Sequence, residues 1–171
     1  MNGSGDGAPP IRLFRITLEE WATSLGGSGV AGRWNSKGRR VVCTSETRSL
    51  ACLENLVRRG GEGLDGRFVV VTLVVEASAG NAPVEAAPLL ASHLDPVPWD
   101  DLLHTRAIGD RWLDAGSSLL LRVPSAIIPG ECNVLIHPDH PDAGRVRVES
   151  VEPFRFVRRL HGLRAAETRT L

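Results

Sequence analysis

The sequence contains no tyrosine and only one lysine, Lys37, so arginine supplies almost all of its positive charge. Its 20 basic and 20 acidic residues give a formal net charge of zero. Broad electrostatic binding to nucleic acid or to an anionic membrane draws on an excess of Lys and Arg. The charge balance therefore argues against a protein that binds DNA, RNA or a membrane directly.

Cysteine is also scarce. Three cysteines, Cys43, Cys52 and Cys132, lie at irregular spacing, and an odd number without a repeated pattern does not predict a disulfide scaffold. No Cys-x-x-Cys pair is present, and the five histidines show no spacing typical of metal ligands. The sequence therefore predicts no metal site.

Long apolar runs are missing as well. No stretch approaches the roughly 20 residues that a membrane helix needs. The first ten residues, MNGSGDGAPP, have neither the basic start nor the apolar segment of a signal peptide. These features favour a cytoplasmic protein.

A length of 171 residues favours one domain, with residues 1–10 as a flexible leader and 11–171 as the folded part. Hydrophobic patterning predicts strands and helices in an order that does not repeat as βαβ units, so we expect an α+β fold with a mostly antiparallel sheet and few helices. We predict strands at 11–17, 40–45, 67–75, 118–124 and 133–137. Two more strands are expected within 146–160, separated at Pro153. We predict a helix at 46–59, one or two helices within 99–115, and irregular chain at 79–98.

Glu54 lies in the predicted helix 46–59, which we expect Ser45 to cap. A stripe of Leu50, Leu53 and Val57 is expected to face the core, with Arg48, Asn55 and Arg59 on the opposite side. Glu54 falls beside the stripe, where a half-buried carboxylate costs several kcal/mol unless it is paired. It is either a functional carboxylate or a structural one paired with Arg58 four residues later.

Two further residues could carry chemistry. Arg33 lies in the glycine-rich segment GGSGVAGRWNSKG, where a guanidinium could bind phosphate or carboxylate oxygens, although an incidental surface arginine is equally consistent with the composition. Ser125 follows the predicted strand 118–124, so its hydroxyl either faces a cleft or belongs to an ordinary turn.

The segment GRWNSKGRRVVCTSETRSLACLENL resembles the signature of the RES domain family, which has a Gly-Arg-Trp-Asn loop, a short strand and a helix with a glutamate. IGDRWLDAGSSLLLRVPSAIIPGECNVLIHPDHPDA resembles the second half of the same domain, and the likeness extends over about residues 11–157. The resemblance implies that Arg33, Glu54 and Ser125 are the Arg, Glu and Ser of the family name. It also implies that Arg15 belongs to the pocket.

The resemblance implies a fold similar to ADP-ribosyltransferase toxins, an activity that degrades NAD by hydrolysis or phosphorolysis, and an Xre-like antitoxin as partner. NAD is then the substrate, and no cofactor is expected. The sequence departs from the family at Cys43, where tyrosine is common, and at His137, which replaces the asparagine of a LINP-type segment. Together with Arg15, Arg33 and Trp34, these two residues are the expected substrate contacts.

The expected mechanism follows from bond chemistry, because nicotinamide is already a cationic leaving group. Arg33 and Arg15 would bind the pyrophosphate, while Glu54 would contact the ribose hydroxyls and stabilise the developing positive charge. Ser125 would orient Glu54 or the ribose. The alternatives are an ADP-ribosyltransferase that modifies a macromolecule and a non-catalytic module that binds NAD or a partner. The exposed helix face and the C-terminal residues 157–171 are candidates for a homo-oligomer interface.

Overall fold

The computed structural model of the chain describes residues 9–76, 87–88 and 101–160. In these ranges seven strands form one sheet, and two α-helices lie against it. The helices are α1 (Arg48–Arg58) and α2 (Leu102–Ala115). The strands are β1 (Ile11–Leu18), β2 (Val42–Ser45), β3 (Phe68–Val75), β4 (Ala87–Pro88), β5 (Leu120–Pro124), β6 (Cys132–Ile136) and β7 (Val146–Phe154).

The strand order across the sheet is β4-β5-β6-β2-β1-β3-β7. Every neighbouring pair is antiparallel except the short β4, which pairs in parallel with β5. The prediction of an α+β fold with a mostly antiparallel sheet and few helices is therefore confirmed.

Strand β3 is buried along its whole length, as its β-branched sequence predicts. It pairs with β1 from Ile11↔Val75 to Leu18↔Phe68 and with β7 on its other side. This arrangement joins the beginning and the end of the described chain through β3, the strand next to the β7 edge of the sheet.

The sheet separates between β1 and β2, which share only the pair Phe14↔Ser45. Beyond that pair the two strands diverge, with Arg15 on one side of the gap and Cys43 on the other. On one sheet face, α1 packs over the β1–β3 half and α2 packs over the β5–β6 half. The candidate site lies in the space between the two helices, above β2.

Helix α1 differs from its prediction at its start and in its orientation. It begins at Arg48 and is capped by Thr47, whose hydroxyl accepts from Leu50 N, whereas Ser45 ends β2. Val57, assigned to the buried stripe, is 58% exposed. Asn55 and Arg59, assigned to the outer face, lie against the sheet.

The polar groups of those two residues explain the orientation of α1. The Asn55 amide donates to Ile16 O at 2.8 Å, and the Arg59 guanidinium stacks over the Phe68 ring at 4.7 Å. A polar side chain can face a sheet when a strand carbonyl or an aromatic ring satisfies it. The apolar stripe alone was therefore a wrong guide to the buried side.

The C-terminal part contains one strand where two were predicted. Strand β7 continues through Pro153, which opposes Val69 of β3. Proline removes a backbone donor, and an edge strand tolerates this loss on its open side. A 3₁₀-helix, Arg158–Leu160, follows.

Several predictions fall wholly or partly outside the described residues. They are the leader at 1–8, most of the irregular segment 79–98, and the end of the C-terminal segment at 161–171. Within 79–98 the backbone of Ala87–Pro88 forms β4, a strand that was not predicted. A single helix, α2, occupies 102–115, and neither described helix has the length and hydrophobicity of a membrane span.

Candidate active site

Glu54 and Ser125 lie together on the face of the sheet that carries both helices. The Ser125 hydroxyl donates to Glu54 Oε1 at 3.0 Å. Glu54 comes from the middle of α1, and Ser125 is the buried residue that follows β5. The spatial meeting of these two residues, expected from their resemblance to a common motif, is present in the structure.

A second donor reaches the same carboxylate oxygen. Asn133 Nδ2 donates to Glu54 Oε1 at 2.5 Å, and the buried Ser45 hydroxyl donates to Asn133 Oδ1 at 2.7 Å. Ser45 and Asn133 are directly opposed on β2 and β6, and Val123 opposes Asn133 from β5. Three adjacent strand segments thus converge on one carboxylate.

The Ser125 hydroxyl has little capacity left for a ligand. Its proton goes to Glu54, while its oxygen accepts from the backbone N–H groups of Ile127 and Ile128 at 3.0 and 3.1 Å. A serine hydroxyl has one donor and two acceptor positions, so these three contacts occupy all of them. Ser125 is therefore arranged to orient Glu54, one of the two roles expected for it.

The two donors leave the other oxygen of Glu54 available. Among the described residues, Oε2 of Glu54 has no hydrogen-bond partner. Nη2 of Arg145 is the one polar side-chain atom of these residues that is both buried and without a partner. Because Glu54 Oε2 is not such a buried atom, it is exposed to solvent. Nor does any described ion pair join Glu54 to Arg58, so the structural pairing considered as an alternative is absent from these residues.

Cys43 lies beside Glu54 on the same sheet face. Its register partner is Leu135 on β6, and its side chain is exposed to solvent. Burial nevertheless raises the pKa of the Cys43 thiol, an effect that Arg58 opposes, Glu54 reinforces and Arg15 opposes. The Cys43 thiol is therefore close enough to Arg58, Glu54 and Arg15 to respond to their charges.

Arg15 contributes positive charge where β1 and β2 separate. Its two terminal nitrogens donate to Ser24 O at 2.9 Å and Trp21 O at 2.7 Å, and burial lowers the pKa of its guanidinium. The guanidinium thus fixes the chain that follows β1 while its charge acts on Cys43. Arg58, one turn beyond Glu54 in α1, is a second cation that acts on Cys43.

The Gly-Arg-Trp-Asn segment is fastened to α2. Thr105 Oγ1 donates to Arg33 O at 2.7 Å, and Arg106 Nε donates to Gly32 O at 2.7 Å. The Asn35 amide donates to Val30 O and Arg39 O, at 2.8 and 2.9 Å. The structure therefore fixes the main chain at Arg33, but none of the hydrogen bonds described for Glu54 or Ser125 involves the Arg33 side chain.

Trp34 and His137, both expected to contact substrate, instead lie in packed surroundings. Trp34 is 5% exposed within a cluster that includes Trp112 and Leu135. His137 is buried against Trp112, its Nε2 lies 3.0 Å from Leu113 O, and its Nδ1 accepts from Asp139 N. Because Nδ1 accepts, Nε2 carries the proton and donates, so this imidazole joins α2 to the sheet.

Two cavities in the described part of the chain lie away from Glu54. One, of about 260 Å³, is lined by strand residues Val42, Ile136 and Val146 and by nearby loop residues; the other, of about 310 Å³, borders Arg39, Arg40 and His137. Neither is lined by Glu54 or Ser125, so the candidate site is the surface around Glu54, Ser125 and the exposed Cys43. Within the described residues no cluster of His, Cys, Asp or Glu could hold a metal ion.

Sequence reasoning missed Asn133 and Ser45. Asn133 is the second residue of β6 and lies two positions before Leu135, so the two side chains share one face of the sheet. Ser45 was assigned to a helix cap, a role that Thr47 fills. The available signal was a polar residue, Asn133, near the start of the strand β6. The partner of the Asn133 amide could not be predicted without the register between β2 and β6.

The overall fold of the chain has a counterpart among solved structures. It is similar to a chain in the crystal structure of the M. tuberculosis MbcT–MbcA toxin–antitoxin complex, with a TM-score of 0.65, 15% sequence identity, and coverage of 87% of this chain and 86% of that chain. At this identity the likeness shows a shared α+β fold.

Sequence comparison then gives the family. The family model described as RES domain matches residues 12–159, so the chain belongs to the RES domain family. It is 34% identical over 146 residues to the Prs ADP-ribosylating toxin of Sphingobium sp. (strain YBL2), covering 81% of this chain and 88% of that protein. It is 36% identical over 143 residues to Toxin Res of Pseudomonas putida (strain KT2440), covering 82% and 95%.

Proposed function

We propose that this protein is an enzyme that cleaves the bond between nicotinamide and ribose in NAD. The observation that carries the proposal is the arrangement of Glu54, whose Oε1 accepts from Ser125 and Asn133 while its Oε2 has no described partner. A carboxylate fixed in this way can stabilise positive charge that develops on a bound sugar.

In the proposed reaction the glycosidic bond breaks and its electron pair leaves with nicotinamide, which neutralises the charged ring. The ribosyl carbon becomes oxocarbenium-like, and the Glu54 carboxylate stabilises it while contacting the ribose hydroxyls. Water then adds its oxygen to that carbon and releases a proton. If phosphate is the acceptor, a phosphate oxygen forms the new bond instead.

Positive charge beside the site supports a dinucleotide as substrate. Arg15 and Arg58 both act electrostatically on Cys43 beside Glu54, and arginine guanidinium groups bind pyrophosphate oxygens well. Arg33 is proposed as a further pyrophosphate contact, because the glycine-rich segment holds its main chain beside α2.

The direct test is to incubate the purified protein with NAD, with and without inorganic phosphate, and to quantify nicotinamide and the sugar product by chromatography. Release of ADP-ribose would indicate hydrolysis, and a phosphorylated ADP-ribose would indicate phosphorolysis. An absence of nicotinamide under both conditions would refute the proposed activity.

Transfer of ADP-ribose to a macromolecule is the second candidate, and the similarity to the Prs ADP-ribosylating toxin of Sphingobium favours it. Both reactions share the cleavage step and differ in the acceptor. NAD labelled in its adenylate part distinguishes them, because transfer leaves the label on protein or nucleic acid.

A non-catalytic NAD-binding module is the third candidate, favoured by the thiol at Cys43 in place of the family's common tyrosine. A thiol is a weak hydrogen-bond donor and offers no ring for stacking. Tight NAD binding without release of nicotinamide would support this candidate.

We also propose that the chain acts as the toxin of a toxin–antitoxin pair. The likeness to a chain of a toxin–antitoxin complex and the toxin names of the relatives support this role. Expression in bacteria should arrest growth, and co-expression of an Xre-like protein encoded beside this gene should restore it.

A further inference from the structure

We propose that Asn133, held by Ser45, is a positioning residue that fixes the Glu54 carboxylate for the reaction. This inference rests on the proposed function of the same site. It concerns two residues that do not reach the substrate themselves but determine which carboxylate oxygen is presented to it.

Two hydrogen-bond donors converge on one oxygen of the Glu54 carboxylate. Asn133 Nδ2 donates to Glu54 Oε1 at 2.5 Å, and Ser125 Oγ donates to the same oxygen at 3.0 Å. Two donors on a single oxygen fix the rotation of the carboxylate about its last bond. The second oxygen, Oε2, therefore has a defined direction and remains available to a ligand.

Ser45 fixes the orientation of the Asn133 amide. A carboxylate accepts hydrogen bonds only, so the amide nitrogen must face Glu54 and the amide oxygen must face Ser45. The buried Ser45 hydroxyl donates to that oxygen at 2.7 Å. The amide cannot turn over without placing its oxygen against the carboxylate.

The strands that hold Asn133 are a rigid support for its side chain. Asn133 lies on β6 between β2 and β5, with Ser45 opposite it on one side and Val123 on the other. Side chains presented by paired strands hold a functional group more firmly than loop residues do. By contrast, Glu54 is on a helix and would reach several rotamers without these donors.

The test compares steady-state nicotinamide release by the wild type, Asn133→Ala and Asn133→Asp. Loss of the donor should lower kcat by about tenfold or more and leave KM within about twofold, because only the transition-state interaction is removed. Asn133→Asp preserves the shape but places a second carboxylate against Glu54, so its kcat should fall further. That variant should recover activity as the pH is lowered, since one bound proton restores a donor.

Substitutions of Ser45 test the same chain of hydrogen bonds one step further from Glu54. Ser45→Ala should lower kcat by a smaller factor than Asn133→Ala, and Ser45→Thr should restore wild-type kcat because it keeps the hydroxyl. Ser49→Ala, on the exposed side of α1, is the matched serine control. Thermal unfolding of every variant verifies that the protein is folded.

The outcomes separate the two claims. If the wild type releases nicotinamide and Asn133→Asp keeps wild-type kcat without a pH response, the positioning role is overturned and the proposed function stands. If the wild type releases none, the proposed function is overturned. The contact itself is then judged by NMR: Glu54→Ala should shift the Asn133 side-chain amide signals, and unchanged signals would overturn the pairing.

Discussion

The hydroxyl of Ser125 lies 3.0 Å from Oε1 of Glu54, although 71 positions of the chain separate the two residues. The contact joins the end of β5 to the middle of α1, so the carboxylate is held by the sheet as well as by its own helix. A hydrogen bond to a charged group contributes about 1.5–3 kcal/mol, so this contact helps to hold α1 against the sheet.

Replacement of Glu54 by Gln should lower nicotinamide release by about 100-fold, because the neutral amide no longer stabilises a developing cation. The measurement is kcat from initial rates at saturating NAD. Glu62→Gln, at an exposed position just after α1, is the matched control and should keep the wild-type rate. Equal rates for Glu54→Gln and the wild type would remove this carboxylate from the mechanism.

Replacement of Ser125 by Ala should reduce both activity and stability. The change removes one donor from Glu54 and leaves the N–H groups of Ile127 and Ile128 without their acceptor. We expect the free energy of unfolding to fall by about 1–3 kcal/mol and kcat to fall by about tenfold. Urea denaturation and the nicotinamide assay measure the two effects.

Ser125→Thr tests whether the hydroxyl itself is responsible. It retains the oxygen, so it should keep more activity than Ser125→Ala. The interpretation would fail if the two variants were equally impaired while both remained folded.

Alkylation of Cys43 should be slow at neutral pH. Burial raises the pKa of the Cys43 thiol, and because the thiolate is the reactive form, the rate should increase only above the ordinary thiol pKa of about 8.5. Arg58 lowers this pKa and Glu54 raises it. Arg58→Ala should therefore slow the reaction further, and Glu54→Gln should accelerate it.

Mass spectrometry of the alkylated peptides gives the rate for each cysteine. Burial also raises the pKa of the Cys132 thiol, on which Arg122 and Glu46 act rather than Glu54. Cys132 is therefore an internal reference whose rate should not respond to Glu54→Gln. A parallel change at both cysteines would argue against the local charge effect at Cys43.

Replacement of Gly109 by Ala should destabilise the protein, because a Cβ there would meet Trp34 O at 1.8 Å. Helix α2 would have to move away from the Gly-Arg-Trp-Asn segment, at a cost of about 1–3 kcal/mol or more. Gly144→Ala is the control, since nothing lies within 4 Å of the added Cβ. Urea midpoints compare the variants, and an unchanged midpoint for Gly109→Ala would contradict the close packing.

The sequence predicted most strands because their local signals are strong. Strand β3 is a β-branched run, and β1 alternates apolar and polar residues, so neither required knowledge of partners. The orientation of α1 was predicted only in part: Leu50 is buried as expected, but Asn55 and Arg59 also face the sheet. Ile16 O accepts from the Asn55 amide, and the Phe68 ring contacts the Arg59 guanidinium. These contacts come from distant residues and are invisible in a helical wheel.

The site was predictable in part. The resemblance identified Glu54 and Ser125 as members of one motif, and the structure brings them into contact. Asn133 and Ser45 required the β2–β6 register, which only the folded sheet supplies. Trp34 and His137 lie beside Trp112 in packed surroundings, and their expected contact with the substrate stays a prediction.

The wide separation of residues 54, 125 and 133 along the chain also bears on synthesis. The ribosome makes Glu54 well before either of its donors, and β6 cannot pair with β2 until residue 136 has left the exit tunnel. Contacts between distant residues form late in folding. A nascent chain therefore holds an unassembled site for as long as residue 136 remains inside the ribosome.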